Sequence, residues 1–339
     1  MYRNHILSKV RQQRVLHDVS LELTYRCNLD CFYCYNDRQK SGKPLSLEQY
    51  RRLLEDLAEM QTLFLMLTGG EPMMHPHFFE IGRMARDLGF VTRVRTNGHS
   101  MNRRICQRLI NEVDPYSIEV SLHGATAEVH DRQTRIRGSF KRLLDNLETA
   151  ASMGLRCEAV CTPTAWNEHQ IDELFALCDQ LGIHLRFQGP VAPRDNGDTE
   201  PLSIQPSKQT WDYIEKLWEK RSAEAVTDEP KTVKNHVADL PEESPSLCGV
   251  GVSGVDIDPY GNVQACMHLQ EAAGSLHQQS IADIWHHSPL FNKARKLSIE
   301  AAKLFENKKP EQFGAPLYCI AVDENARKGC TACASSCHS

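Results

Sequence analysis

The chain has no apolar run approaching the roughly 18 to 20 residues that a membrane-spanning helix needs. Its N-terminus, residues 1–16, is basic and polar and lacks the apolar core of a secretory signal. These absences predict a cytoplasmic protein with no membrane partner. It also lacks a charge excess of the kind nucleic acid selects: the net charge is −5, with +4 on residues 1–150 and −9 on residues 151–339. No internal repeat or low-complexity tract interrupts it, and with 41% hydrophobic and 24% charged residues the disordered and fibrous classes are excluded. At 339 residues there is room for two or three domains. Cysteine, by contrast, is abundant. The chain has thirteen, an odd number, and it is far larger than the small secreted domains that rely on disulfide frameworks. In a reducing compartment so many thiols suggest metal.

The positions are more informative than the number. Cys27, Cys31 and Cys34 cluster near the start, Cys248, Cys266, Cys319, Cys330, Cys333 and Cys337 lie beyond residue 247, and Cys106, Cys157, Cys161 and Cys178 fall between. From Val19 to Gln188, strand and helix periods alternate. Strands are expected at 19–24, 63–68, 91–96, 116–121, 157–162 and 183–188. The first intervening helix spans about 47–60, with Ser46 and Gln49 at the spacing of a capping box, and later helices stop at Gly89, Gly154 and Gly182. Six strand-helix repeats require parallel pairing with right-handed crossovers. The fold class is therefore α/β, a partial (β/α)6 barrel of parallel strands. A turn-rich loop follows at 189–210, then a helix at about 208–224. A hairpin pairs 255–258 with 263–266, and a helix at about 281–297 precedes the cysteine-rich tail. The expected organisation is an extension at 1–18, the barrel at 19–190, a helical linker at 191–246 and a small C-terminal iron-sulfur domain at 247–339.

The segment Cys27-Asn28-Leu29-Asp30-Cys31-Phe32-Tyr33-Cys34 directly follows the first strand. Structural zinc takes four N or S ligands, and here there are three cysteines with no histidine after them until His75. A 4Fe-4S cluster held by three thiolates leaves one iron open to an exogenous ligand. With an aromatic, Tyr33, before the third cysteine, the sequence resembles the radical S-adenosylmethionine superfamily across essentially its whole length. The resemblance implies a reduced cluster that passes one electron to bound S-adenosylmethionine. The 5'-deoxyadenosyl radical so formed takes a hydrogen atom from an unactivated carbon.

In such sheets ligands gather at the carboxyl ends of the strands. The second strand ends in Gly69-Gly70-Glu71-Pro72, where two glycines allow close backbone approach and a carboxylate can pair with an ammonium group. The resemblance implies that this segment binds the amino group of the methionine moiety. The third and fourth strands end at Asn97 and Ser121, whose side chains match polar residues that contact the cofactor ribose in the family. It implies adenine contacts after the fifth strand, around Thr162, and after the sixth, at Gln188. Relatives carry an arginine for the cofactor carboxylate after a His-Asp pair. Here Thr134 and Arg135 follow His130-Asp131, and Arg132, Arg135 and Arg137 compete for that role.

Cys248 and Cys266 flank the hairpin, and Cys330, Cys333 and Cys337 end the chain in a pattern similar to SPASM and twitch auxiliary-cluster domains. Two auxiliary clusters usually take seven or eight cysteines, and six are present. That count predicts at least one auxiliary 4Fe-4S cluster from Cys248, Cys266 and two of the three tail cysteines, with Cys319 left for part of a second. A zinc ribbon is the alternative. The four middle cysteines are expected to pack as small hydrophobes, and the fifteen histidines to lie in loops or on the surface. Three functions remain open. The first is maturation of a peptide or protein, with a flavodoxin- or ferredoxin-type reductant and a separate peptide-recognition chain as partners. The second is a radical dehydrogenase or carbon-skeleton enzyme acting on a small molecule, and the third a non-catalytic zinc-binding interaction protein. No general base is identifiable from spacing.

Overall fold

The computed structural model describes residues 9–225 and 251–307. Six strands, β1 (Asp18–Glu22), β2 (Phe64–Thr68), β3 (Val91–Thr96), β4 (Ser117–Ser121), β5 (Cys157–Cys161) and β6 (His184–Phe187), pair in parallel in sequence order. The crossovers carry α1 (Leu47–Glu59), α2 (Phe78–Asp87), α3 (Arg103–Arg108, extended by a π-helical turn at Leu109–Val113), α4 (Ala127–Thr134), α5 (Ser139–Ser152) and α6 (Ile171–Leu181). This is the expected partial barrel. Each strand boundary falls within a few residues of the predicted one, because turn formers punctuate the sequence sharply.

The helices cover one face of the sheet. Tyr50, Leu53, Leu54 and Leu57 of α1 are buried at helical spacing, as are Leu143, Leu147 and Ala150 of α5. They meet Leu21, Leu65, Leu67, Val94, Ile118, Val120 and Leu185 from the strands in one core. Each fully buried leucine there contributes about 2 kcal/mol. Ser46 begins α1 as a capping box: its hydroxyl accepts from Gln49 N at 3.2 Å, and Gln49 Oε1 accepts from Ser46 N at 3.1 Å.

Alternate strand residues face the other way, into the barrel, and that inner face is charged. Arg95 donates to Glu119 Oε2 through Nε and Nη2, at 2.9 and 2.7 Å, and Arg186 reaches Glu119 Oε1 at 2.7 Å. Burial opposes the charge on Glu119, yet Arg95, Arg186 and Arg93 together hold its carboxyl below its ordinary value. A closed barrel of this class fills its interior with aliphatic layers. This one keeps a polar lumen.

Beyond α7 (Lys208–Ala225), strand β7 (Gly254–Ile257) pairs in parallel with β1, and β8 (Asn262–Cys266) and β9 (Leu269–Ser275) follow antiparallel. Among the described residues the sheet therefore has nine strands, in the order β6-β5-β4-β3-β2-β1-β7-β8-β9. The hairpin stands where expected, and β9 extends it by a further strand. The single helix predicted at 281–297 is two, α8 (Ile281–His287) and α9 (Pro289–Asn307). Ser288 between them is extended, as the residue before a proline prefers. A second correction concerns His130, which is buried within α4 instead of lying in a loop or on the surface; His17 and His123 are buried too, but in loop segments. Cys106, Cys157, Cys161 and Cys178 are buried in the core as expected. No helix among the described residues is long and apolar enough to cross a membrane.

Candidate functional site

Where β1 ends, the chain turns through residues 27–34 across the carboxyl ends of the strands. Two backbone bonds fasten this loop to α4, from Asp30 N to Thr134 O at 3.1 Å and from Phe32 N to Gln133 O at 3.0 Å. Cys27, Cys31 and Cys34 carry free, half-buried thiols and line one cavity of about 290 Å3. Around them stand Tyr33, Gly69, Gly70, Asn97, Ser121 and Gln188. The cavity thus assembles six of the eight residues predicted to meet the cofactor.

Burial is the main influence pushing all three thiols above their ordinary range, Cys34 to about 11, and each is further discouraged from ionising by another cysteine or by Glu71. Three thiolates can coexist here only with compensating positive charge, which bound iron supplies. Among the described residues, no group of three or more His, Cys, Asp or Glu is placed to hold a single metal ion. One thiolate for each of three irons therefore suits this donor set better than a tetrahedral zinc site.

The two predicted residues that do not line the cavity are Glu71 and Pro72. Glu71 is fully buried beneath the rim, where its carboxylate accepts from Thr96 Oγ1 at 2.8 Å, Asn97 N at 2.9 Å and Met73 N at 3.3 Å. Burial lifts its pKa to about 7, against the pull of those donors. Its side chain ties β2 to β3 through these bonds. The glycines before it answer to the chain's own backbone. Gly69 has φ +139°, and a Cβ there would lie 2.4 Å from Thr24 O; one on Gly70 would lie 2.6 Å from Arg26 O. Gly70 N donates to Thr24 O at 2.6 Å and Glu71 N to Arg26 O at 2.9 Å, so this close approach fixes the start of the cysteine loop.

Ser121 and Gln188 present polar side chains to the cavity with no protein hydrogen-bond partner among the described residues. Asn97 differs, since both ends of its amide are taken by the protein. Thr162, Gly189 and Pro190 also line the cavity. Of the competing arginines, Arg132 lies over the Trp166 ring and Arg135 over Phe32, and neither they nor Arg137 line the cavity. Among the described residues, the cations that do are Arg38 and Arg95.

Several participants carried too little sequence signal to be singled out. His123 accepts from Thr162 N at Nδ1 (3.2 Å), which places the ring proton on Nε2, where it meets the Tyr33 hydroxyl. Burial and neighbouring His130 keep His123 neutral, its pKa well below the ordinary value. Tyr35, on the cavity wall, donates to Glu22 Oε1 at 2.8 Å. Burial first, then Asp256, raises the Glu22 pKa to about 8. Burial raises Asp256 to about 6 against hydrogen bonds from Ser20 and from Met267 N, the latter to Oδ2 at 3.1 Å. These acids occupy strand positions where the alternation alone reads as polar.

Cys266 ends β8 half-buried and accepts from His268 N at 3.3 Å. Met267 and His268, which follow it, line the same cavity as the first three cysteines. Cys248, Cys319, Cys330, Cys333 and Cys337 lie outside the described residues.

Residues 21–178 match the family profile described as the radical SAM superfamily, and residues 248–320 that of an iron-sulfur cluster-binding domain, SPASM. The chain is 31% identical over 325 residues to the mycofactocin maturase MftC of Mycobacterium ulcerans, covering 92% of this chain and 82% of that protein. It is 26% identical to an AdoMet-dependent heme synthase of Methanosarcina barkeri, covering 82% and 84%. Among solved structures, SuiB of Streptococcus suis bound to precursor peptide SuiA superposes with a TM-score of 0.63 at 16% identity, covering 86% of this chain and 70% of that one.

Proposed function

Because the chain belongs to the radical S-adenosylmethionine superfamily and carries a SPASM domain, we propose that it is a maturase that removes hydrogen from a peptide or protein, and that Cys27, Cys31 and Cys34 hold its catalytic cluster. The observation that carries this reading is the convergence of three free thiols with the glycine-backed rim of β2 in one cavity at the strand ends. When bound, the cluster and S-adenosylmethionine together supply a one-electron reductive cleavage that yields a 5'-deoxyadenosyl radical.

The protein's contribution is placement. The loop at 27–34 presents three thiolates to one side of the cavity. The exposed edges of Gly69 and Gly70 offer backbone groups to the methionine end of the cofactor. Ser121 and Gln188 offer a hydroxyl and an amide to its ribose and adenine. Arg38 and Arg95 are assigned to its carboxylate in place of Arg132, Arg135 and Arg137, with Glu119 fixing the Arg95 fork. Enclosure by strand ends excludes water and holds a substrate C–H bond beside the reactive carbon. Residues 247–339, with Cys248, Cys266, Cys330, Cys333 and Cys337 as donors, are proposed to hold at least one auxiliary 4Fe-4S cluster that accepts the substrate's electron. We place the enzyme in the cytoplasm, served by a flavodoxin- or ferredoxin-type reductant.

Anaerobic reconstitution followed by iron and sulfide counting is expected to give about eight of each per chain for two 4Fe-4S clusters. Dithionite and S-adenosylmethionine should then yield 5'-deoxyadenosine, and Cys27→Ala should abolish it. One zinc and no iron would sink the proposal. Co-expression with a short peptide encoded beside the gene should lower that peptide's mass by two hydrogens. The likeness to a heme synthase favours a second reading, a small-molecule substrate. Turnover of a tetrapyrrole with the peptide unchanged would establish it.

A further inference from the structure

The Asn97 amide is fully committed within the protein, and one of its partners is a cysteine of the loop. Its Oδ1 accepts from His99 N at 3.0 Å, so the opposite end of the amide is the NH2 group. That group donates to Asn28 Oδ1 at 2.7 Å and to Cys27 Sγ at 3.7 Å. The latter is an ordinary length for a bond to sulfur, which is a larger acceptor than oxygen. Cys27 Sγ also accepts from Leu29 N at 3.4 Å.

The support behind Asn97 is rigid. Its backbone N–H and the Thr96 hydroxyl both end on the buried Glu71 carboxylate. The turn beyond it is pinned by Asn146 Nδ2, which donates to Gly98 O at 2.8 Å and His99 O at 3.1 Å. Asn97 is 7% exposed. A side chain so held has little freedom to swing toward a nucleoside, but it is well placed to fix the rotamer of Cys27.

We infer that Asn97 is a positioning residue for the catalytic cluster, donating an N–H···S hydrogen bond to the Cys27 thiolate, and that Glu71 acts through it by holding the end of β3 in register. The inference rests on the proposal that Cys27, Cys31 and Cys34 ligate the cluster. Hydrogen bonds to ligating sulfur draw electron density from the thiolate and so make a cluster easier to reduce. Asn97 would thereby help set the potential at which the cluster accepts its electron.

The test is an EPR-monitored redox titration of the anaerobically reconstituted protein, following the reduced signal whose shape changes when S-adenosylmethionine is added. Asn97→Ala should retain wild-type iron and sulfide content while its midpoint moves to more negative potential. Asn97→Asp, which keeps the acceptor for His99 N–H but replaces the donor with a charge, should move it further. A loaded Asn97→Ala protein with the wild-type midpoint overturns the inference. If that variant does not load iron, Asn97→Asp decides: a wild-type midpoint there overturns it equally. Wild-type protein without an S-adenosylmethionine-responsive signal would instead remove the ligand assignment on which the inference stands.

Discussion

Glu22 shows how far a single residue can depart from its ordinary chemistry when a strand carries it into the lumen. With a folded pKa near 8, raised by burial and by Asp256, it binds a proton that the unfolded chain releases near pH 4.5. The stability it contributes is therefore complete below the unfolded value and is lost as pH rises through the folded one. Glu22→Gln should flatten this dependence, so that its melting temperature relative to wild type is higher at pH 9 than at pH 6. A parallel pair of melting curves would refute it. Gly69 sets a steric limit instead. Gly69→Ala should disturb the β1–β2 contact at Thr24 and lower the iron retained after reconstitution, measured as iron per chain. Residue roles were legible where a spacing repeats a chemical requirement, as at Cys27, Cys31 and Cys34. They were not legible where a role depends on partners distant in sequence: Glu71 reads as a free carboxylate until Thr96 and Asn97 are seen to occupy it.

At the level of elements, local rules did most of the work. The Ser46 capping box was readable from four residues and is present in full. Replacing Ser46 with alanine should cost on the order of 1 kcal/mol in chemical denaturation. A loss close to zero would mean that packing of Tyr50, Leu53 and Leu57 alone holds α1. Elsewhere one residue overrode a long periodic pattern. The apolar spacing from Ile281 continues through Phe291, yet Pro289 forces Ser288 out of the helical region and divides the segment. β9 gives no strand signal in the sequence because Leu269–Ser275 carries little of the β-branched and aromatic content that marks a strand, and its pairing with β8 contains register shifts.

Considered whole, the molecule shows what no local window contains, namely which strand neighbours which. The six-strand order followed from parallel crossovers, but the attachment of β7 to β1 is a contact across more than 200 residues that no motif announces. Its consequence bears on how the protein could be cut or recombined. β1 is an interior strand, with β2 on one side and β7 on the other, so the seam between the two family matches runs through a hydrogen-bonded ladder. A fragment ending at residue 225 would leave the ladder edge of β1 bare, and such edges recruit other chains. It should elute as aggregates in size-exclusion chromatography where the full chain does not. Exchanging C-terminal segments between relatives would likewise transplant part of the barrel wall, so chimaeras should fold only when the grafted β7 matches the recipient's β1 in side-chain pattern and register.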